Sequence, residues 1–399
     1  MRGAGESIET KSNPIRFHAI TLATFFGASA APTPLYRIYQ ENFVVSPVLI
    51  TVIFAVYAFA LLLALLIAGS ISDHLGRKPV IFSALLLEIV AMTLFVAASG
   101  PGWLIAARIV QGLATGIAGA SIGAALVDVD RPKGQLVNSI APLSGMAIGA
   151  FGTSALIQYG PFPLHLVYAI LLAAFVVQAI AIWATGETGG QRPGVWGSLK
   201  PRIAIPPQVK RSLALVTPIN IANWTLGGFY LSLVPSLVVN TTGNHAPLTG
   251  GSVVTALMVS GAAAVYLRRG KSADSNLGFG TLATILGMLT VVAGVHLASV
   301  PLLLAGTVLT GMGFGTNFLG AIGTIMPLAK PDERAELLSA FYIQSYLAFS
   351  LPAILAGFLA KSLGYQLTTD IYATAIVLVT GAGLLGLRAE RSRAARAAA

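Results

Sequence analysis

The stretch PVLITVIFAVYAFALLLALLIAGSISDHLGRK, residues 47–78, decides the fold. It opens with 22 residues that carry no charge and closes on Asp73, Arg77 and Lys78. Between Glu41 and Asp73 lie 31 uncharged residues. A helix that crosses a bilayer needs about 20. The same spacing recurs outward in both directions. There are 20 uncharged residues between Arg16 and Arg37 and 19 between Arg108 and Asp128. Lys133 to Glu187, Arg211 to Arg268 and Asp274 to Lys330 enclose 53, 56 and 55, each room for two helices and a turn. Glu336 to Lys361 and Asp370 to Arg388 hold one helix each, and a further span, containing Glu88, follows Lys78. The sequence therefore predicts an all-α integral membrane protein with twelve transmembrane helices. They are placed at 17–37, 48–69, 80–98, 103–126, 137–158, 164–185, 213–239, 250–267, 277–297, 301–326, 337–360 and 371–387. Composition agrees. Of 399 residues, 10% are charged and 55% hydrophobic, against about 25% charged in an ordinary soluble domain, so a soluble fold is excluded.

Twenty-one of the 24 basic residues fall on one side of this topology, among them Arg2, Lys11, Arg77, Lys78, Arg131, Lys133, Lys200, Arg268, Arg334, Arg388 and Arg391. Arg37 and Lys361 fall on the other, and Arg108 lies inside a span. The positive-inside rule then puts both termini in the cytoplasm, as in a multi-pass protein of a bacterial inner membrane. The net charge of +10 is spread over every cytoplasmic loop, so no nucleic-acid partner is expected. With no cysteine, and five histidines on separate segments, neither a disulfide nor a metal site is expected. The first apolar run ends in Pro-Leu-Tyr-Arg rather than a small-residue cleavage site, and reads as a retained helix.

The Gly-, Pro- and base-rich segment 186–211 divides the chain six helices and six: residues 1–185, a linker at 186–211, and 212–399. At an offset of 199, Gly112, Gly116 and Pro132 fall on Gly311, Gly315 and Pro331. This internal echo suggests two pseudo-symmetric six-helix bundles, a common transporter plan.

Gly69, Asp73, Gly76, Arg77 and Lys78 fit the pattern G-x-x-x-D-x-x-G-R-[KR] on the loop after the second span. Here, and over residues 16–388, the sequence resembles the major facilitator superfamily, whose motif A has this form. The resemblance implies a cytoplasmic latch that holds two halves together in one state and releases them in another. On residue type, Gly69 would allow a close helix approach, Gly76 a turn closed to other residues, and Asp73 with Arg77 a charged contact. The alternative is a short polar loop with ordinary positive-inside charges. Arg108, Gln111 and Gly112 resemble motif B (R-x-x-Q-G), which implies a part in proton coupling or substrate contact. On a helix Arg108, Gln111 and Thr115 share a face that can meet a cavity, beside a packing face of Gly112, Gly116, Gly119 and Gly123. The alternative for Arg108 is snorkelling to the outer surface, about 9 Å away.

Glu88 is the one acid well inside a span, and its carboxylate needs a partner or a proton. It is a candidate proton carrier, or else a hydrogen-bonded structural group. A vertical gap of about 9 Å to Arg108 allows a direct ion pair only with extended side chains. Gly145 to Ser154 partly resembles the antiporter motif C, with Ala150 in place of its proline, and reads equally as a small-residue packing face. Asn220, Asn223 and Trp224 lie at i, i+3 and i+4 and, with Asn317, Tyr342 and Gln344, form the candidate substrate cavity. Amides and rings without a fixed charge suit a neutral or weakly cationic, mostly apolar solute. Interhelical hydrogen bonding is the plainer alternative. No G-x-x-x-x-G-K-[ST] loop or H-E-x-x-H pair occurs. An enzyme is therefore not expected, nor a cofactor. The reading is a monomeric secondary transporter working by alternating access, exporting small, mostly apolar compounds with protons as coupling ion. The alternatives are an importer of a neutral metabolite such as a sugar, or a non-transporting membrane receptor.

Overall fold

The computed structural model describes the backbone of residues 6–398 and the side chains of residues 14–390, 392, 393 and 396. Arg2 and the side chains of Lys11 and Arg391, counted above among the cytoplasmic bases, lie outside the described residues. The described chain is helical throughout and contains no strand: α1 (Glu6–Ala30), α2 (Pro32–Phe43), α3 (Pro47–Ala68), α4 (Ser72–Leu75), α5 (Arg77–Val96), α6 (Pro101–Val129), α7 (Arg131–Tyr159), α8 (Leu166–Ala181), α9 (Val195–Ser198), α10 (Pro207–Thr242), α11 (Pro247–Arg268), α12 (Ala273–His296), α13 (Val300–Ile325) and α14 (Arg334–Ala398). Prolines stand in the first turns of α2, α6, α7, α10, α11 and α13. A missing N–H costs nothing there. The side chains of Asp130 and Ser272 cap α7 and α12 by accepting from Lys133 N and Ser275 N.

Ten helical stretches among the described residues are long and apolar enough to cross a membrane. Two of the expected boundaries take a particular form. The first span, expected at 17–37, runs through α1 into α2: Ala31 keeps helical dihedrals, φ −56 and ψ −37, and Pro32, which has no N–H, interrupts only the hydrogen-bond ladder. The spans expected at 337–360 and 371–387 are two helices joined across a kink within one apolar stretch, Arg334–Glu390, 57 residues long. A straight rod of that length would extend about 85 Å, nearly three hydrocarbon thicknesses. Gly364 breaks it, with φ 81 and ψ 168, a conformation open essentially to glycine.

Two compact units are present. One comprises the described residues to Val45 together with Val56–Pro201; the other comprises Ser46–Ala55 and the chain from Arg202. In the first, α1 packs along α7, and α5 along α6 and α8. In the second, α13 packs between α11 and α12 while α10 runs along α14. Its core joins Val209, Val216 and Ile219 of α10 to Leu277, Ile325, Leu337 and Phe341.

The echoed glycines do equivalent work within the two units. A methyl group on Gly112 or Gly116 would collide with the backbone carbonyls of Tyr57 and Leu61 on α3. On Gly311 or Gly315 it would collide with those of Leu257 and Gly261 on α11. In both cases two glycines one turn apart let a helix lie against its neighbour's carbonyls, where dispersion replaces the absent hydrophobic drive. Gly145 and Gly149 do the same against Ala23 and Gly27 of α1. A Cβ on Gly119 would meet nothing within 4 Å on a neighbouring helix, and one on Gly123 would come nearest to the side chain of Asn138.

Candidate functional site

Three polar groups stand out against the apolar background. The first surrounds Arg77 at the start of α5. Its guanidinium binds Asp73 and Ser72 through Nη1 and Asp128, at the end of α6, through Nε at 2.9 Å. Only 12% of the Arg77 side chain is exposed, so these pairs are shielded more than a surface ion pair. The backbone N–H groups of Arg77 and Lys78 donate to the two oxygens of Glu187, at 2.8 and 3.1 Å. Lys78 Nζ donates to the carbonyls of Trp183 and Thr185. Gly76 makes this possible. Its φ is 95, and a Cβ there would stand 2.7 Å from Glu187 Oε2. The linker continues over the same loop, with Ser70 donating to Ser198 O and Gln191 to Leu75 O.

Gly69 differs from its expectation. The atom a Cβ would strike is the carbonyl oxygen of Leu65 in its own chain. Its lack of a side chain therefore serves the local turn rather than an approach between helices. Glu187 was legible only as a boundary charge, and Asp128 likewise; neither position announces what it binds.

Burial pushes the Glu187 carboxyl up, but donors from the backbone of Gly189, Arg77, Lys78 and Thr188 outweigh it and hold the group below the usual carboxylate range. A depressed folded-state value stabilises the ionised form above the ordinary carboxylate range, and this contribution disappears as pH falls through the depressed value. Proteolytic nicking of the 187–201 segment should therefore accelerate on acidification of the wild type. Glu187→Gln should show at neutral pH the nicking rate that the wild type reaches only in acid. A flat wild-type profile would contradict the tether.

The second group lies inside the first unit. Arg108 Nη1 donates to Ser29 O at 3.0 Å and to Gln111 Oε1 at 2.6 Å. Gln111 Nε2 in turn donates to Ala28 O and to Glu88 Oε1, both at 3.1 Å. The Arg108 guanidinium also lies 4.1 Å over the Tyr57 ring. Glu88, Arg108 and Gln111 are 0%, 1% and 0% exposed, which rules out snorkelling. The face expected to meet a cavity is instead sealed against the backbone of α1. Glu88 and Arg108 form no direct ion pair. Gln111, three residues or about 4.5 Å along α6 from Arg108, fills the gap between them. Glu88 Oε2 and Arg108 Nε have no hydrogen-bond partner.

The third group lies in the second unit. Asn220 Nδ2 donates to Ser345 Oγ at 3.0 Å and Gln344 Oε1 at 3.4 Å. Trp224 stands among Tyr346, Phe349 and Phe318, with ring centroids 5.0, 5.8 and 6.3 Å away, and Tyr342 adjoins Tyr346. Asn317 does not join them. Its amide donates to Thr284 of α12 at 3.3 Å and its oxygen fills the space beside Gly280, so it ties α13 to α12. Ser345, Tyr346 and Phe349 were not singled out in the sequence, although Tyr342, Tyr346 and Phe349 recur at helical spacing. The spacing Gly119-x-Ser121-x-Gly123 also occurs, but inside α6, not at the strand-to-helix turn a nucleophile elbow requires.

Helices of bilayer length, two compact units with matching glycine contacts, and a buried acid bridged to a buried base define a multi-span helical membrane protein of transporter architecture. The chain belongs to the Major Facilitator Superfamily, whose family model matches residues 18–275. It is thus a multi-pass protein of a transporter family that works in a lipid bilayer on small molecules. No curated protein matches the sequence. Among solved structures it is similar to the nucleoside transporter NupG, in a mutant form, with a TM-score of 0.72 and 11% identity over 94% of this chain and 99% of that one. It is also similar to the human organic anion transporter MFSD10 (TETRAN), with a TM-score of 0.69 and 16% identity over the same shares. Both likenesses are of fold alone.

Proposed function

We propose that this protein is a proton-coupled exporter of small, mostly apolar compounds. It crosses the membrane twelve times and acts as a monomer in a bacterial inner membrane with both termini in the cytoplasm. Residues 1–185 rock against 212–399, joined by 186–211, and so present the solute to each side in turn. The observation that carries the reading is the buried chain Glu88–Gln111–Arg108. An acid at 0% exposure beside a bridged arginine is costly in an apolar interior, and groups of this kind mark proton and ion paths. The positive-inside distribution supports the orientation. The partial motif C favours export over import. The absence of fixed charge around Trp224 fits an apolar, uncharged cargo.

Asp73 and Arg77 act as the cytoplasmic latch in this reading. Asp73→Asn or Arg77→Ala should reduce flux at least tenfold while membrane insertion stays normal. Reconstitution of each variant at matched protein density checks this, and undiminished flux would remove the latch role. Import of a neutral metabolite is a second reading, favoured by the amide and hydroxyl set Asn220, Gln344 and Ser345, which can bind a solute richer in hydroxyls. Counterflow in inside-out vesicles separates the two. An exporter loads such vesicles when the lumen is acidic, whereas an importer driven by protons discharges them.

A further inference from the structure

We propose that the second unit carries a recognition site for a neutral, planar heteroaromatic solute with a ring carbonyl beside a ring N–H, seated on Trp224 and hydrogen-bonded by Asn220 and Asn223. The proposal rests on the reading above that the chain moves small compounds, and it names their class.

Two independent observations point there. The first is an aromatic cluster whose central ring keeps part of its surface exposed. Trp224 is only half-buried, yet Tyr346 approaches it tilted at 56° and Phe349 and Phe318 approach edge-on at 79° and 69°. None of these three rings lies parallel to the indole, so the stacked arrangement is one that a flat solute can supply. The second is a set of buried polar atoms with nothing to bind. Asn220 and Asn223 are 1% and 3% exposed. Asn220 Oδ1, Asn223 Nδ2 and Trp224 Nε1 all lack a hydrogen-bond partner, although buried polar groups are otherwise almost always satisfied. These are one acceptor and two donors on one face of α10, at i, i+3 and i+4. An N–H on the solute answers the acceptor, and a carbonyl answers a donor.

Charge excludes the other classes. No Asp, Glu, Lys or Arg lies between Arg211 and Arg268, between Asp274 and Lys330, or between Glu336 and Lys361. An ionised solute on Trp224 would therefore be desolvated without a counter-charge. A purely hydrocarbon solute would leave three polar atoms unpaired, each at the cost of a lost hydrogen bond.

The test uses the whole protein in nanodiscs and direct binding of tritiated 2-quinolone, with N-methyl-2-quinolone and naphthalene as competitors. Naphthalene keeps the planar rings and loses both polar groups; N-methylation removes the N–H alone. Saturable binding of 2-quinolone is expected, with N-methyl-2-quinolone about tenfold weaker and naphthalene about a hundredfold weaker, since one net hydrogen bond is worth about a factor of ten. Asn223→Leu should weaken 2-quinolone about tenfold and leave naphthalene unchanged, the latter showing that the variant is folded. Trp224→Leu should weaken both ligands. Equal binding of all three compounds to the unaltered protein, or no binding of 2-quinolone, would overturn the proposal. Failure of this proposal alone leaves solute counterflow by the wild type intact. If the wild type moves no solute at all, the transport reading fails with it.

Discussion

Arg108→Ala should destabilise the protein by about 3 kcal/mol and abolish solute flux. The guanidinium supplies the donor for Ser29 O and Gln111 Oε1 and covers the Tyr57 ring, all at 1% exposure. Removing it leaves two buried acceptors without that donor, at about 1 to 3 kcal/mol each. Hydrogen bonds between membrane helices have measured worths as low as about 0.6 kcal/mol. The figure is therefore set by the unpaired acceptors rather than by the bonds lost. Arg108→Lys should recover only part of the loss, because an ammonium cannot reproduce the planar contact with Tyr57. Thermal melting in nanodiscs reads the first effect and flux in proteoliposomes the second. A melting curve matching the wild type in Arg108→Ala would contradict the buried role.

The second large effect separates exchange from energy coupling. Glu88→Gln keeps an oxygen that can accept from Gln111 Nε2, so the local structure and melting temperature should hold, while the carboxyl group of the Glu88–Gln111–Arg108 network is gone. Solute exchange down its own gradient should persist, and accumulation driven by a pH gradient should fall to background. Equal pH-driven accumulation in wild type and variant would take Glu88 out of the mechanism.

The spans were legible because a bilayer punishes charge. The intervals between charged residues had to match its thickness, and α3, α11 and α13 begin and end within a few residues of their expected bounds. The glycine echo was legible for a related reason, since close backbone contact admits no substitute at Gly112 or Gly311. The gap in the hydrogen-bond ladder after Ala31 was signalled by Pro32 and Pro34, which the helix accommodates without leaving helical dihedrals at Ala31.

Side-chain partnerships were less visible. Arg108, Gln111 and Glu88 were each conspicuous. Which of them meets which depends on the rotation of α5 and α6 about their axes, a quantity that sequence spacing leaves free. The same freedom separates Asn317 from Asn220: both are amides in apolar helices, yet one turns toward Thr284 and the other toward Ser345. Glu187 was hidden for another reason. An acid just past a span looks like any boundary charge, and only the folded loop brings the N–H groups of Arg77 and Lys78 to it.

The most direct measurement is proton movement in proteoliposomes holding the purified wild type and a pH-sensitive dye in the lumen. Addition of a transported solute to vesicles with an acidic lumen should discharge the gradient, with solute entering as protons leave, and Glu88→Gln should abolish the dye signal while exchange continues. Solute movement that leaves the dye unchanged in the wild type would contradict proton coupling through the buried chain.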